Sequence, residues 1–244
     1  MKRSFADLHL KININELSIL QSAIHRAAKF GYRHLAVSFS FEPSIDEIEN
    51  LKTLCKNVEV ELVLRADLYP RNENELMHNL RRLRRKFDII CVICDDKEIS
   101  RQAAKDRRVD LLNFPNTDYR KRFFDRSEAE LARSGCAALE IDIKSLLVLE
   151  GPARTRFLSC LRREVAIAKI FDVPIILSSG ATEERFMRMP RDMASVAYLF
   201  GLSDVEALNT VSMNPLAIVL RNREKLKCNF IAPGIRVVKE GNVF

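Results

Sequence analysis

Asp7-Leu8-His9 stands near the start of the chain and has the look of a metal-binding beginning. A catalytic metal site needs several imidazoles and carboxylates converging on the ion, usually with one position left open. The chain offers four histidines: His9, His25, His34 and His78. Only His9 falls where a strand would end. Asp7, Asp67, Asp95 and Asp142 could form a carboxylate site for magnesium. Arg65 and Lys144 would compete for those carboxylates. A second chemical stretch is LSSGATEERFMRMPRD, residues 177–192. It leaves an apolar run through Ser178-Ser179-Gly180 and then carries Arg185, Arg188 and Arg191. Small residues and guanidinium groups at a strand exit suit a phosphate; they also suit an ordinary helix cap. A serine nucleophile here has no histidine nearby, and the turn is not G-x-S-x-G. Neither a G-x-G-x-x-G nor a phosphate-loop lysine motif is present.

Cys91-Val-Ile-Cys94 has the spacing of a zinc or redox pair, but it lies inside the apolar run DIICVICD. Side chains alternate along a strand, so positions three apart point to opposite faces. The two sulfurs therefore do not converge, and the six cysteines read as reduced thiols.

The elements that must position these residues alternate regularly. Apolar strand runs occupy 5–10, 33–39, 58–67, 88–94, 109–114, 137–143 and 173–179. Helical patterns fill about 15–30, 43–57, 72–86, 97–106, 127–134 and 154–171 between them. Two further helical stretches follow, Pro190 to Phe200 and Ser203 to about Lys225, and the tail NFIAPGIRVV reads as extended. Such β-α alternation implies parallel strands with helical crossovers. Seven units predict an α/β, TIM-like (β/α) barrel of about seven parallel strands with extra C-terminal helices. A chain of 244 residues, 47% hydrophobic, suits a single such domain over 1–244. In a barrel the working residues sit at the C-terminal strand ends. Those ends are Asp7 and His9; Ser38 and Ser40; Arg65 and Asp67; Asp95 and Asp96; Asn113; Asp142 and Lys144; Ser178 and Ser179.

No apolar run approaches the roughly 20 residues of a membrane span, and MKRSFADLHL lacks a signal's apolar core. A soluble, cytoplasmic protein is expected. Forty Lys+Arg against thirty-three Asp+Glu give a net charge of +7, which favours a polyanionic partner. The basic residues cluster: Arg81, Arg82, Arg84, Arg85 and Lys86; Arg120, Lys121, Arg122 and Arg126; Arg154, Arg156, Arg162 and Arg163; and Arg221, Arg223, Lys225 and Lys227. Leu76, Leu80, Leu83 and Phe87 follow helical spacing, so Arg82 and Arg85 fall on the opposite, wet flank.

The segments SSGA at 178–181, RMPRD at 188–192, VAYLFGLS at 196–203 and ALNTVSMNPLAIVLRNRE at 207–224 resemble the protein component 3 family of archaeal ribonuclease P. FADLHL at 5–10 and GYRHLAVS at 31–38 resemble that family's N-terminus, so the resemblance spans the chain. That family is a TIM-like barrel related to the polymerase-and-histidinol-phosphatase (PHP) phosphoesterases. The resemblance implies an accessory subunit of the ribonucleoprotein that removes the 5′ leader of precursor tRNA. It implies magnesium on the RNA subunit and no cofactor on this chain. Its implied partners are the ribonuclease P RNA, precursor tRNA within the holoenzyme, a small α/β protein subunit and other ribonuclease P proteins. Asp7 and His9 look like the stub of the phosphoesterase metal motif, with Lys11 where that superfamily places a second histidine.

The residues expected to bind RNA are Arg188, Arg191, Lys144, Arg65, Ser178, Ser179, Arg81, Arg82, Arg85, Arg120, Lys121 and Arg122. Asp192, Gly180 and Pro190 are expected to be structural, with Asp192 capping the helix start or orienting Arg188. The alternative function is a free-standing, metal-dependent PHP phosphoesterase using Asp7 and His9. A third reading is a basic barrel that only scaffolds protein partners.

Overall fold

A computed structural model describes residues 3–14, 16–232 and 235–237. Seven strands form one sheet in chain order: β1 (Phe5–Leu10), β2 (Tyr32–Phe39), β3 (Glu61–Leu68), β4 (Ile89–Ile93), β5 (Leu111–Asn113), β6 (Ala138–Asp142) and β7 (Ile175–Ser178). Every neighbouring pair is parallel. The crossovers carry α1 (Leu17–Phe30), α2 (Ile45–Asn57), α3 (Glu73–Leu83), α4 (Lys97–Lys105), α5 (Arg126–Gly135), α6 (Lys144–Val148) and α7 (Gly151–Ile170). After β7 come α8 (Pro190–Ala197), α9 (Asp204–Thr210) and α10 (Met213–Leu226). The predicted seven-stranded barrel is therefore present. Phe230–Ala232 and Ile235–Arg236 pair as a short antiparallel hairpin (β8, β9), which makes part of the tail extended as anticipated. Pro233, Gly234 and Val238 of that stretch lie outside the described residues, as does Asn15 at the expected start of α1.

The helices begin where the local chemistry satisfies their first amide groups. Ser44 and Glu47 form a reciprocal capping box at α2, so Pro43 precedes the helix and does not open it. Asn72, Asp96 and Asp125 cap α3, α4 and α5 with their side chains. The single long helix expected after Ser203 is two helices. Val211 and Ser212 break it, and the freed Val211 carbonyl accepts the Ala6 amide at 3.0 Å. That break turns α10 beneath the barrel.

Two apolar clusters follow. The outer one lies between the strands and the surrounding helices. The inner one is the barrel lumen: Ala6, Leu8, Ala36, Val63, Cys91, Leu111, Ala138 and Ile176 among others, closed from below by Ile218 and Val219 of α10. Cys91 belongs to the lumen and Cys94 to the outer layer. The two sulfurs thus face opposite ways, as the alternation predicts.

The seam between β7 and β1 has little ladder of its own. Leu10 and Ala181 form one isolated bridge, and the Lys11 amide donates to the Ala181 carbonyl at 2.8 Å. Lower down, the Asp7 carboxylate accepts the Ser179 amide at 2.9 Å. A side chain thus substitutes for a missing backbone acceptor and helps to close the barrel.

Candidate functional site

At the C-terminal end of the barrel a buried ionic cluster sits above the apolar lumen. Arg65, on β3, is wholly buried. Its Nη1 and Nη2 donate to the two oxygens of Glu140 at 2.6 and 2.7 Å, and its Nε donates to Asp67 at 2.6 Å. Nη1 also donates to the Leu8 carbonyl at 2.6 Å. The guanidinium fork matches a carboxylate edge to edge, the strongest form of this contact. His9 completes the cluster. Its Nδ1 lies 2.8 Å from Asp142, and its Nε2 lies 3.2 Å from Asp67. Asn113 Nδ2 bridges Glu140 and Asp142 at 2.8 and 3.0 Å, and Ser178 Oγ donates to Glu140 at 2.6 Å.

A bulge in β1 makes this arrangement. Asp7 pairs with Leu35 and Leu10 with Val37, so three steps on β1 match two on β2. Such an irregularity re-aims side chains. Leu8 enters the lumen and His9 follows it inward. Asp7 falls on the other side, bound to the Ser179 and His9 amides. Asp7 and His9 therefore do not converge as a ligand pair, although regular alternation would have placed them on one face.

The electrostatics follow from burial and pairing. Burial and Arg65 both push the His9 pKa down, but Asp142 and Asp67 more than offset them and raise it to about 10. The ring carries both protons and donates from both nitrogens. Burial alone would raise the Asp67 carboxyl; Arg65 and His9 hold it well below the usual carboxylate range. Asp142 is likewise held low, against burial, mainly by His9. Burial raises Asp7, and one of its oxygens, Oδ2, has no hydrogen-bond partner.

His9, Glu140 and Asp142 each bring one donor atom to within 4.8 Å of the others, a spacing that could hold an ion. The residues present do not fit one. The Arg65 guanidinium already occupies both oxygens of Glu140, and each ring nitrogen of His9 faces a carboxylate, Asp142 or Asp67. The arginine supplies the positive charge that the carboxylates require.

Above the cluster lies a cavity of about 190 Å³ lined by His9, Lys11, Tyr69, Asn113, Asp142 and Lys144. Lys11 Nζ donates to Tyr69 at 2.8 Å, and Lys144 Nζ donates to Thr182 at 2.8 Å while lying 5.0 Å from the Phe186 ring centre. Gly180 turns the chain over this mouth at φ 60°. A Cβ there would come within 2.8 Å of the Asp142 side chain, so only glycine fits.

The expected RNA-binding residues separate into buried and exposed ones, with Lys144 and Arg188 half-buried between them. Arg65, Ser178, Ser179 and Arg122 are corrected: all four are buried and bound internally. Arg122 forks onto Glu164, with Nε donating at 2.7 Å, and packs against Phe114 and Phe157. Ser179 Oγ donates to the His9 carbonyl. None of the four can reach a surface phosphate. Arg84 of the first basic cluster is likewise internal, bound to Asp110 and three carbonyls. Arg221 and Arg223 of the last cluster tie α10 to Asp110, Asp88 and Glu61. Arg81, Arg82, Arg85, Arg120, Lys121 and Arg191 are exposed.

The stretch 177–192 is not one site. Ser178 and Ser179 lie at the mouth, whereas Arg191 lines a groove beside Phe5 and Gly31, at the other end of β1. The chain between them runs down the flank of α1, where Glu184 meets Arg26 and Ser22. Tyr32 donates to the Arg188 carbonyl at 2.9 Å. Arg188 folds its guanidinium onto the Arg185 and Met187 carbonyls at 2.7 and 2.8 Å. Asp192 neither caps α8 nor orients Arg188; the cap position is Met189, and Pro190 is the first helical residue, as expected. Glu140 was missed by the sequence reading. Its signal was an acid in the apolar run ALEID, in phase with Asp142 and two residues before the strand end.

Among the described residues no helix is long and apolar enough to cross a membrane. A family model described as RNase P subunit p30 matches residues 4–227. Ribonuclease P protein component 3 of Methanosarcina barkeri is 30% identical over 184 residues, covering 75% of this chain and 76% of that protein. The protein of the same name from Methanosarcina acetivorans is 28% identical over 228 residues, covering 93% and 92%. A chain of the cryo-EM structure of archaeal ribonuclease P with mature tRNA superposes with a TM-score of 0.82 at 21% identity, over 98% of this chain and 100% of that one. A crystal structure of an amidohydrolase superposes with a TM-score of 0.58 at 11% identity, covering 91% and 75%. At these identities the two likenesses report the barrel fold.

Proposed function

The chain belongs to the RNase P subunit p30 family and is a protein subunit of ribonuclease P, and from this we propose that it holds folded RNA by its exposed arginines and does no bond breaking itself. The observation that carries the reading is the Arg65–Glu140 pair. Where a hydrolytic barrel needs an open cationic centre, this one carries an internal guanidinium that no substrate reaches. The same observation disfavours the free-standing phosphoesterase. His9 is committed on both nitrogens, and Asp7 serves the seam.

The surface supports the RNA reading. Arg81 and Arg82 project from the outer face of α3 and Arg85 from the turn that follows it, and the inner face of α3 is buried through Leu76, Leu80 and Leu83. Among the described residues no carboxylate pairs with these three guanidinium groups, so they can neutralise phosphates and release counterions. Structured RNA is read largely by shape and backbone, which suits cations fixed on a rigid scaffold. In this reading the substrate is precursor tRNA, the magnesium ions sit on the RNA subunit, and the protein works in the cytoplasm beside other protein subunits.

Reconstitution tests it. The cognate RNA is assayed on precursor tRNA at limiting magnesium, with the wild-type chain and with the Arg81→Ala, Arg82→Ala, Arg85→Ala triple variant. Loss of stimulation by a folded triple variant supports the reading; full stimulation removes α3 from the RNA surface.

A further inference from the structure

The groove at the lower end of β1 combines two aromatic side chains with three arginines. It encloses about 450 Å³, in the range of sites that take small organic groups. Phe5 and Phe30 give it an aromatic floor, Met189 forms one apolar wall, and Arg3, Arg33 and Arg191 stand around the rim. Both aromatic rings are partly exposed while packing on the core, so they are held in place. Arg33 pairs with Glu59 at 3.1 Å. Arg3 and Arg191 are exposed and, among the described residues, bind no carboxylate. Next to the groove, and sharing Arg33, lies a second hollow bordered by Lys52 and Lys56.

We infer that this groove captures one unpaired nucleotide of RNA, its base lying on Phe5 and Phe30 and its phosphate held by Arg3 and Arg191. Every base has a π-face, so aromatic platforms combined with cations bind single strands with little regard to sequence. A paired base cannot enter, because its faces are stacked and its edges are engaged. The rim charge of Arg3 and Arg191 complements a phosphodiester, whereas the neighbouring hollow is of mixed charge, with Glu59 and Glu61 beside Arg33, Lys52 and Lys56. An acidic peptide would satisfy the arginines but would leave the aromatic floor unused. The inference rests on the RNA-binding reading and adds a strand preference to it.

The test uses the full chain and a single-stranded oligoadenylate of about ten nucleotides with one 4-thiouridine, free or annealed to its complement. We expect the free strand to bind about tenfold more tightly than the duplex, consistent with one stacked base. Crosslinks should fall on the peptide containing Phe30 or that containing Met189. The Arg3→Glu, Arg191→Glu double variant changes only exposed side chains. It should keep its circular dichroism and lose the preference. Retained preference in that variant, crosslinks elsewhere, or equal displacement by hexaglutamate would overturn the assignment. If the variant and wild type both still bind folded ribonuclease P RNA while showing no strand preference, the groove assignment alone falls. Failure of the wild-type chain to bind any RNA overturns both readings.

Discussion

Arg65 and Glu140 face each other as a two-pronged ion pair, at 2.6 and 2.7 Å, inside the mouth of the barrel and out of contact with solvent. The pair is also the anchor of its surroundings. Arg65 holds the Leu8 carbonyl, Glu140 takes up Asn113 and Ser178, and Asp67 links Arg65 to His9. Five strands, β1, β3, β5, β6 and β7, are thereby joined through side chains above the lumen.

Removing one partner of a buried pair leaves the other charged and unsatisfied. Arg65→Met and Glu140→Gln should each destabilise the fold by about 3–5 kcal/mol, read from urea unfolding midpoints. Arg65→Lys should fail to rescue, since an ammonium cannot fork across both carboxylate oxygens. By contrast, Arg82→Ala on the exposed face of α3 should change stability by less than about 0.5 kcal/mol.

Asp110 is the corresponding anchor at the lower end. It is buried and binds Arg84, Arg221 and the Ile90 amide, joining α3, α10 and β4. Asp110→Ala should cost about 3–5 kcal/mol and loosen α10, read as faster amide exchange over 213–226.

Glu128 on α5 predicts a pH dependence. It is fully buried, and neither carboxylate oxygen has a hydrogen-bond partner. Burial raises its pKa from 4.5 to about 8, with Arg101 partly opposing. Between those values the folded chain keeps a proton that the unfolded chain releases. The Glu128 contribution to stability then falls as pH rises from about 4.5 to about 8 and is constant above, while His9, raised from 6.5 to about 10, adds a further fall between those values. Glu128→Gln should remove the Glu128 part of the slope, most visibly below about pH 6.5, and should gain on wild type most at pH 8.5, measured by denaturant midpoints across the range.

RNA affinity should depend on salt through the exposed arginines. Replacing Arg81, Arg82 and Arg85 by alanine should make the slope of log affinity against log salt shallower by about 0.7–0.9 for each lost phosphate contact. An unchanged slope would place the RNA on another face.

The barrel was legible because each strand is an apolar run bounded by turn residues, and each helix carries a 3.6-residue stripe such as Leu76, Leu80 and Leu83. The mouth was legible in part: Arg65, Asp67, Asn113 and Asp142 stand where strand ends were read. Glu140 escaped because a single acid inside ALEID reads as a solvent-facing residue until the strand is known to line a lumen. The β1 bulge left no sign in FADLHL, so Asp7 and His9 seemed to share a face. Arg191 seemed to share a site with Ser178 because they are close in sequence. About ten extended residues reach some 33 Å, enough to carry the chain from one end of the barrel to the other. The break before α10 was hidden because ALNTVSMNPLAIVL keeps its helical apolar pattern across it.

On the proposed reading this barrel stabilises RNA, and cleavage happens elsewhere. The most direct test is the purified chain, freed of nucleic acid and incubated with precursor tRNA and magnesium or manganese, against the same chain with the cognate RNA. The account predicts 5′-leader removal only when the RNA is present, undiminished in kind by Asp142→Asn at saturating protein. Leader removal by the chain alone, abolished by Asp142→Asn, would contradict it.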